Sequence, residues 1–242
     1  MSDILLDIGN SAIKGCLGWP QAQKLIRCAR TVEALLPHLK ALGPAGTPLW
    51  ISSVASDAAV DVLSQALRAE GYTEQHWLRS PQEALGLQNA YAEASTLGVD
   101  RWLAMVAARQ IHEGALLVID AGTALTLDLV DENGCHQGGY IIPGVDLMTA
   151  SLRRDTARVL FNEGLMETTA PGTSTDGCVG AGIWLTQVAS VKTLMSQYPN
   201  YTPIITGGYG QALLALGIEA EHRPQLVLEG LAISAGIVAP CP

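Results

Sequence analysis

Short apolar runs alternate with turn residues at the start of the chain. Asp3 to Ile8 form a mostly apolar run, Gly9-Asn10-Ser11 follow it, and a second run extends from Ala12 to Leu17. After another turn, a third run covers Gln23 to Ala29. Glycine, asparagine and serine favour tight turns, and apolar runs of this length are typical of strands. The pattern therefore predicts a three-stranded β meander.

The segment up to residue 114 then alternates between helical and strand spacing. Apolar residues three and four positions apart predict a helix capped by Thr31, and a second such pattern predicts a helix from Arg101 to His112. Between them we expect a strand over Leu49 to Val54, a helix over Ala58 to Ala69 and a loop-rich segment over residues 83–98. Strands that alternate with helices indicate an α/β protein.

The second half of the chain repeats the opening pattern. The apolar run Leu116 to Ile119 ends at Asp120-Ala-Gly-Thr123, and further apolar runs cover Leu125 to Leu129 and Gly139 to Ile142. The segment LLVIDAGTALTLDLV echoes LLDIGNSAIKGCL, since each is a strand, Asp-x-Gly-Asn/Thr and another strand. Recurrence after half a chain suggests duplication. We expect an N-terminal domain over residues 1–114 and a C-terminal domain over residues 115–242.

Helices are expected to complete the second domain, with one further strand among them. The predicted segments are an interrupted helix over 144–169, a long helix from Thr175 to Gln197, a strand from Thr202 to Thr206, a helix from Gln211 to Leu216, and a final helix from Leu226 to Val238. Trp102 and Trp184 fall on apolar helix faces, which predicts core or interface positions.

Composition narrows the function classes. Of the 242 residues, 48% are hydrophobic and 15% charged, which predicts a packed core, and the formal net charge of −9 argues against nucleic-acid binding. No apolar run has the roughly 18 residues that a membrane helix needs, and the N-terminus does not resemble a signal peptide, so we expect a cytoplasmic protein. The five cysteines have no metal-ligand spacing, which favours reduced thiols over disulfides or zinc.

Three turns carry residues suited to phosphate chemistry. In Asp7-x-Gly9-Asn10-Ser11-x-x-Lys14, glycine lets backbone amides approach a phosphate, lysine adds a cation, and aspartate can bind Mg²⁺. Asp120-x-Gly122-Thr123 repeats the first part, and Thr206-Gly207-Gly208 is a Gly-rich turn after a strand. Each alone is also a common β-turn. Two such turns between apolar strands favour a nucleotide site.

These motifs occur together with others in a fixed order. The others are Gly98-x-Asp100-Arg101, Gly134-x-His136-x-Gly138-Gly139-x-Ile141-x-Pro143-Gly144 and Gly172-x-x-Thr175. In this ordered set the chain resembles the type III pantothenate kinases, members of the acetate and sugar kinase/Hsp70/actin superfamily. The resemblance implies an α/β fold of two actin-like (ribonuclease H-like) domains with the active site in the interdomain cleft. It also implies a homodimer, ATP as co-substrate, Mg²⁺ and a monovalent cation (K⁺ or NH₄⁺).

The same resemblance implies residue roles. ATP contacts would be Asp7, Gly9, Asn10, Ser11, Lys14, Gly122, Thr123, Gly207 and Gly208. Pantothenate contacts would be Tyr91, Gly98, Val99, Asp100, Arg101 and Thr175, with Thr175 supplied by the partner subunit. Asp100 would be the catalytic base, Asp120 the ligand of the monovalent cation and Asp7 the residue on the Mg²⁺ side. A carboxylate can accept the hydroxyl proton, and an arginine can hold the pantothenate carboxylate in a bidentate fork.

Several of these residues have alternative interpretations. Asp100-Arg101 could be a surface ion pair at a helix start, Asp128 could face the cleft or water, and His136 could stabilise a turn or touch a ligand. Ala94 stands where the family often has proline, which would loosen the substrate loop. The alternative functions are another small-molecule kinase or phosphohydrolase of the superfamily, or a non-catalytic regulatory relative. The motifs favour pantothenate phosphorylation, the first step towards coenzyme A, without nucleic-acid or membrane partners.

Overall fold

The computed structural model describes residues 3–20, 24–155 and 166–237. The chain forms two compact units, one comprising Met1–Glu113 and Gln225–Pro242 and the other Gly114–Pro224. The repeated sequence pattern thus corresponds to two separately packed bodies.

The first unit is built on a five-stranded sheet. Its elements are β1 (Ile4–Ile8), β2 (Ala12–Leu17), β3 (Leu25–Ala29), α1 (Val32–Leu42), β4 (Leu49–Ser53), α2 (Asp57–Ala69), β5 (Gln75–Trp77), β6 (Glu83–Ala84), β7 (Leu87–Gln88), a 3-10 turn (Ala94–Thr96) and α3 (Val99–Ile111). The strand order is β3-β2-β1-β4-β5, with β1 antiparallel to β2 and parallel to β4. The predicted meander is therefore confirmed as β1, β2 and β3.

Alternation along β1 decides which side chains enter the core. Leu6 and Ile8 pack in a buried cluster with Leu35 and Leu39 of α1. Because successive side chains of a strand point to opposite faces, Asp7 lies on the other face of the sheet. The helix starts follow from capping: the Thr31 hydroxyl accepts a hydrogen bond from the Ala34 nitrogen at 3.1 Å.

The second unit repeats the first in its topology. Its elements are β8 (Leu116–Ala121), β9 (Ala124–Val130), β10 (His136–Pro143), α4 (Val145–Asp155), α5 (Thr175–Gln197), β11 (Thr202–Thr206), α6 (Gly210–Ala215) and β12 (Glu221–His222). The strand order β10-β9-β8-β11-β12 matches that of the first sheet position for position. This shared order supports the duplication inferred from the sequence.

The core of the second unit lies between its sheet and α5. Leu117, Ile119 and Leu127 of the sheet pack with Trp184 and Val188 of α5. Trp184 is almost fully buried, as is Trp102 in α3 of the first unit, which confirms the core interpretation of both indoles. Among the described helices, none is both long and apolar enough to cross a membrane.

Several element boundaries differ from the sequence-based predictions. The strand β10 begins at His136 rather than Gly139, and its pairing with β9 shifts register between His136 and Gly138. The final helix, α7 (Leu226–Ser234), ends four residues earlier than predicted, since the chain turns through a Gly236 with φ +70°. The predicted interruption of the helix over 144–169 falls largely on residues 156–165, outside the described part of the chain.

The grouping of α7 also differs from the predicted domain limits. Sequence analysis assigned residues 115–242 to one domain, whereas the structure groups the segment from Gln225 with the first unit. The reason is packing, because α7 lies against α3 and β1. A local sequence pattern cannot predict that the C-terminal helix packs against the N-terminal unit.

None of the cysteines among the described residues forms a disulfide bond. Cys16 is buried, Cys178 is exposed, and Cys28 and Cys135 are intermediate, whereas Cys241 lies outside the described residues. Burial raises the pKa of the Cys16 thiol to about 11, so this thiol stays protonated at neutral pH.

Candidate active site

In the first unit, three polar side chains form a row across the sheet. Asp7 on β1 pairs with Lys14 on the antiparallel β2 and with Ser52 on the parallel β4. Directly paired residues of neighbouring strands share a face, so this row lies opposite the apolar core face of the sheet. The Ser52 hydroxyl donates a hydrogen bond to Asp7 Oδ1 at 3.0 Å. Sequence reasoning found Asp7 and Lys14 and missed Ser52, which has no motif around it.

The turn that follows Asp7 is tight. The Gly9 nitrogen donates to the Ala12 carbonyl at 3.1 Å, and a Cβ at Gly9 would lie 3.2 Å from that same oxygen. Arg30 donates to the Asn10 carbonyl at 3.4 Å. The predicted phosphate loop, Asp7 to Lys14, therefore spans the β1–β2 hairpin, with Gly9 to Ser11 in its turn next to the Asp7–Lys14 pair. Such a turn can present backbone amides to an anion.

Asp7 is a carboxylate held in a poorly solvated position. Its side chain is nearly buried, and burial raises its pKa to about 6. Lys14 opposes this rise in pKa, the nearby Asp100 adds to it, and the Ser52 hydrogen bond lowers it. The electrostatic effect of Asp100 places these two predicted site residues close to each other. A strongly shifted carboxyl beside a second carboxyl and a lysine is typical of functional sites.

The start of α3 brings together the predicted acceptor residues. Asp100 and Arg101 stand in its first turn, and Gly98 is the N-terminal capping residue. Asp100 Oδ1 accepts a hydrogen bond from the Arg101 nitrogen at 2.8 Å, and a Cβ at Gly98 would lie 2.7 Å from that oxygen. A side chain at position 98 would thus displace the Asp100 carboxylate. This explains why the motif has glycine there.

Arg101 is held against Tyr91. Arg101 Nη1 donates to the Tyr91 hydroxyl at 2.9 Å, and the guanidinium carbon lies 5.8 Å from the centre of the Tyr91 ring. Arg101 is only 6% exposed, which contradicts the alternative that Asp100-Arg101 is a surface ion pair. The helix start therefore presents a fixed guanidinium beside a carboxylate and a phenol.

In the second unit, Asp120 occupies the position that Asp7 holds in the first. It lies on β8, paired with Thr126 on the antiparallel β9 and with Thr206 on the parallel β11. The turn after it is closed by the Gly122 nitrogen, which donates to the Ala124 carbonyl at 3.0 Å. The two Asp-x-Gly motifs are therefore equivalent in structure, as their sequences suggested.

Glycines crowd the Asp120 turn. Gly207, with φ +89°, is so close that a Cβ would lie 2.5 Å from the Ala121 carbonyl and from Asp120 Oδ1. A Cβ at Gly144 would similarly lie 2.5 Å from the carbonyl oxygens of Gly122 and Thr123. The Gly207-Gly208 turn and the Pro143-Gly144 turn thus both close on the Asp120–Thr123 turn. Three motifs that are far apart in the sequence meet here.

Thr175 belongs to a different part of the second unit. It is the first residue of α5, and it lines a cavity of about 1220 Å³ between α4 and α5 together with Pro143, Leu147 and Cys178. A cavity of this size exceeds what one small substrate needs. The prediction that Thr175 contacts pantothenate from a partner subunit stays a prediction.

Burial decides between the alternative interpretations of Asp128 on β9 and His136 on β10. Asp128 and His136 are almost completely buried, and His136 Nε2 lies 3.0 Å from Asp128 Oδ1. The solvent-facing alternative for Asp128 is therefore wrong. His136 lies in a strand, not a turn, so its hydrogen bond holds β10 against β9.

Both cation positions predicted from the resemblance fit the residues present. Asp7 is a nearly buried carboxylate whose negative charge is only partly compensated, and Asp120 Oδ1 borders space that side chains at Gly207 or Gly122 would fill. Oxygen donors of this kind suit Mg²⁺ and alkali cations. Within the described residues no group of three or more His, Cys, Asp and Glu side chains could hold a metal.

The raised pKa of Asp7 predicts a pH-dependent difference in stability. An aspartate in an unfolded chain titrates near 3.9, so between about pH 4 and pH 6 the folded protein holds more protons. The free energy of unfolding must then fall as the pH rises through that interval. In Mg²⁺-free buffer at pH 7 we expect Asp7→Asn to be more stable than the unsubstituted protein by about 2 kcal/mol.

Chemical unfolding from pH 4 to pH 8 measures this difference. The stability gap between Asp7→Asn and the unsubstituted protein should shrink as the pH falls from 6 towards 4, because the folded aspartate is then protonated and the unfolded aspartate begins to be. Asp61→Asn, at an exposed position of α2, serves as the control and should follow the unsubstituted protein at every pH. An Asp7→Asn protein that is less stable at pH 7 would contradict the expectation.

Comparisons with known proteins identify the family of the chain. The sequence model of the type III pantothenate kinase family matches residues 4–197. A type III pantothenate kinase from Hahella chejuensis is 34% identical over 245 residues, which cover 98% of this chain and 99% of that protein.

Solved structures show the same fold at lower sequence identity. A protein assigned to the Baf family of transcriptional activators, from Campylobacter jejuni, aligns with a TM-score of 0.62 at 20% identity, over 97% of this chain and 100% of the other. A protein assigned as a 2-dehydro-3-deoxygalactonokinase, from Sinorhizobium meliloti, aligns with a TM-score of 0.58 at 15% identity, over 99% and 98% of the two chains. These similarities confirm the predicted actin-like α/β class. With the family model matching most of its length, the chain belongs to the type III pantothenate kinase family.

Proposed function

We propose that this protein transfers the terminal phosphoryl group of ATP to the primary hydroxyl of pantothenate. The products are ADP and 4'-phosphopantothenate, and the reaction begins coenzyme A biosynthesis. The observation that carries the proposal is the cluster at the start of α3, where Asp100, Arg101 and Tyr91 lie together and Asp100 approaches Asp7. A family member that keeps this cluster keeps both the base and the substrate clamp.

The acceptor residues have complementary tasks. Asp100 accepts the proton of the attacking hydroxyl, because a carboxylate within hydrogen-bond reach can act as a general base. Arg101 binds the pantothenate carboxylate through a guanidinium whose orientation Tyr91 already fixes. Gly98 and Val99 set the backbone at this helix start, and Gly98 leaves the room that the Asp100 carboxylate needs.

The donor residues neutralise and hold phosphate oxygens. The backbone of Gly9, Asn10 and Ser11 binds phosphate through amides, and Lys14 places a cation beside them. Gly122, Thr123, Gly207 and Gly208 are the proposed ATP contacts of the second unit. Mg²⁺, on the side of Asp7, would neutralise phosphate charge, and Asp120 would hold the monovalent cation.

The remaining expectations from the family concern assembly and location. A homodimer in which Thr175 reaches a partner's substrate, a cytoplasmic location and the absence of nucleic-acid or membrane partners form part of the proposal. The acidic net charge of −9 supports the expectation that the protein does not bind nucleic acid. The shared interdomain active site stays a prediction.

An ADP-release assay tests the proposal. Purified protein with Mg²⁺-ATP should release ADP only after pantothenate is added, and the rate in K⁺ or NH₄⁺ should exceed the rate in Na⁺. Lys14→Met serves as the inactive control, since it removes the phosphate-loop cation. ADP release that does not depend on pantothenate would contradict the proposed substrate and favour another kinase or a phosphohydrolase. Equal rates in K⁺ and Na⁺ would contradict the role of Asp120.

A further inference from the structure

The segment that carries Tyr91 has little regular structure of its own. It runs from Pro81 to Leu97, through the short β6–β7 hairpin and the 3-10 turn, and it ends where α3 begins. Short strands and loops of this kind obtain their shape from specific hydrogen bonds more than from a packed face. The precise position of Tyr91 therefore needs a separate cause.

Asn89 supplies such a cause. The residue is buried, with an exposed fraction of 5%. Its side-chain nitrogen donates to the carbonyls of Pro81 and Ala94, at 3.2 Å each, and its side-chain oxygen accepts from the Tyr91 nitrogen at 3.0 Å. A carboxamide offers two donors and one carbonyl acceptor, and all three groups are engaged with backbone of this one segment.

The backbone of Asn89 is held as well. Its nitrogen donates to the Gln82 carbonyl at 2.9 Å, and its carbonyl accepts from the Gln82 side chain at 2.9 Å. Asn89 thus fastens the beginning of the segment, near Pro81, to its end, near Ala94. Removing the Asn89 carboxamide would leave its backbone partners without their hydrogen bonds. Buried backbone groups without partners are costly, so the segment would rearrange.

The consequence reaches Arg101 through Tyr91. The Tyr91 nitrogen is fixed by Asn89, and its hydroxyl and ring fix the guanidinium of Arg101. The Ala94 group that accepts from Asn89 is a backbone carbonyl, which every residue type has. Alanine in place of the family's proline at position 94 therefore leaves the Asn89 hydrogen bonds intact. By contrast, Ser80 fastens only the Leu97 carbonyl, at 2.9 Å, and does not contact Tyr91 in the described hydrogen bonds.

We propose that Asn89 is a positioning residue of the acceptor site, which holds Tyr91 in place and through it orients Arg101 towards the substrate carboxylate. This proposal rests on the proposed function, which assigns Tyr91 and Arg101 to pantothenate. It assigns to Asn89 a role in substrate affinity, distinct from a general role in stability.

Hydrogen exchange tests the structural half without any substrate. In the unsubstituted protein the Tyr91 amide should be protected, because it donates to Asn89. In Asn89→Ala, peptides that cover residues 81–97 should exchange at least about tenfold faster, while peptides of β1 and β4 keep their rates. Unchanged exchange across 81–97 would overturn the proposal whether or not the protein is a kinase.

Steady-state kinetics test the functional half. Asn89→Ala should raise the KM for pantothenate about tenfold and leave the KM for ATP within about twofold. Added to Tyr91→Ala, it should change the pantothenate KM by less than about twofold, because two residues that act through one another are not additive. Independent, multiplying effects would overturn the proposal.

Two further variants separate positioning from stability. Tyr72→Phe removes another buried hydrogen bond of the first unit, to the Gly43 carbonyl at 2.7 Å, and should leave both KM values unchanged. If Asn89→Ala does not fold, Asn89→Asp replaces it, since it keeps the acceptor for Tyr91 and should raise only the pantothenate KM, by about threefold. If the unsubstituted protein shows no pantothenate-dependent turnover, the proposed function fails, while the exchange experiment still decides the role of Asn89.

Discussion

Replacing Asp100 with asparagine is expected to lower kcat by about a thousandfold and to leave pantothenate bound nearly as well as before. The proposed role is proton acceptance, and an amide cannot accept the hydroxyl proton although it has the same shape. Asparagine keeps the side-chain oxygen that accepts a hydrogen bond from the Arg101 backbone nitrogen at 2.8 Å, so the start of α3 should stay in place. The loss should therefore appear in kcat and not in the pantothenate KM.

Calorimetric binding of pantothenate and a single-turnover assay separate the two quantities. The matched control is Asp57→Asn, which removes an aspartate from the first turn of α2 and so reproduces any loss of helix-dipole interaction. Asp57→Asn should keep normal turnover. A kcat for Asp100→Asn within about tenfold of the unsubstituted value would assign the proton to another acceptor.

The site residues with strong local signatures could be predicted from the sequence. Asp7 and Asp120 each follow an apolar strand and precede a glycine, and both lie at the same position in equivalent sheets. The pattern succeeded because strand alternation and turn chemistry act over a few residues. Lys14, five positions after Gly9, follows from the same hairpin, because β2 pairs it with Asp7.

Residues that act through long-range contacts could not be predicted. Ser52 meets Asp7 only because β4 lies beside β1, and a serine within a strand carries no signal of its own. Asn89 acts through hydrogen bonds to backbone groups on both sides of a loop, and these bonds exist only once the loop is folded. The two-residue strands β6 and β7 likewise depend on their turn, where Leu85 adopts φ +54° beside Gly86.

The placement of α7 also depends on long-range contacts and could not be predicted from the sequence. It leads to a second prediction, a large loss of stability on substitution. Its glycine, Gly230, faces the backbone of α3, and a Cβ there would lie 1.9 Å from the Leu103 carbonyl oxygen and 2.6 Å from its carbon. Both atoms belong to the main chain of a helix, so neither can move away alone. The close approach of α7 to α3 therefore requires glycine at position 230.

Gly230→Ala is expected to destabilise the protein by about 3 kcal/mol or more. Alanine normally stabilises a helix relative to glycine by up to about 1 kcal/mol, but the overlap with the α3 backbone outweighs this gain. Because Asp100 and Arg101 lie in the first turn of α3, a displaced α3 should also lower turnover. The thermal midpoint should fall by roughly 10 °C.

Gly182→Ala is the matched control. This glycine also lies within a helix, α5, but among the described residues no atom outside its chain neighbours and its own helix backbone lies within 4 Å of the position that its Cβ would take. Alanine there should raise the free energy of unfolding by up to about 1 kcal/mol, since only the helix propensity changes. Opposite signs at the two glycines, measured by thermal unfolding, would show that the contact between α7 and α3 is as close as described. If both variants were stabilised, α7 would not pack on α3, and the grouping of the final helix with the first unit would be wrong.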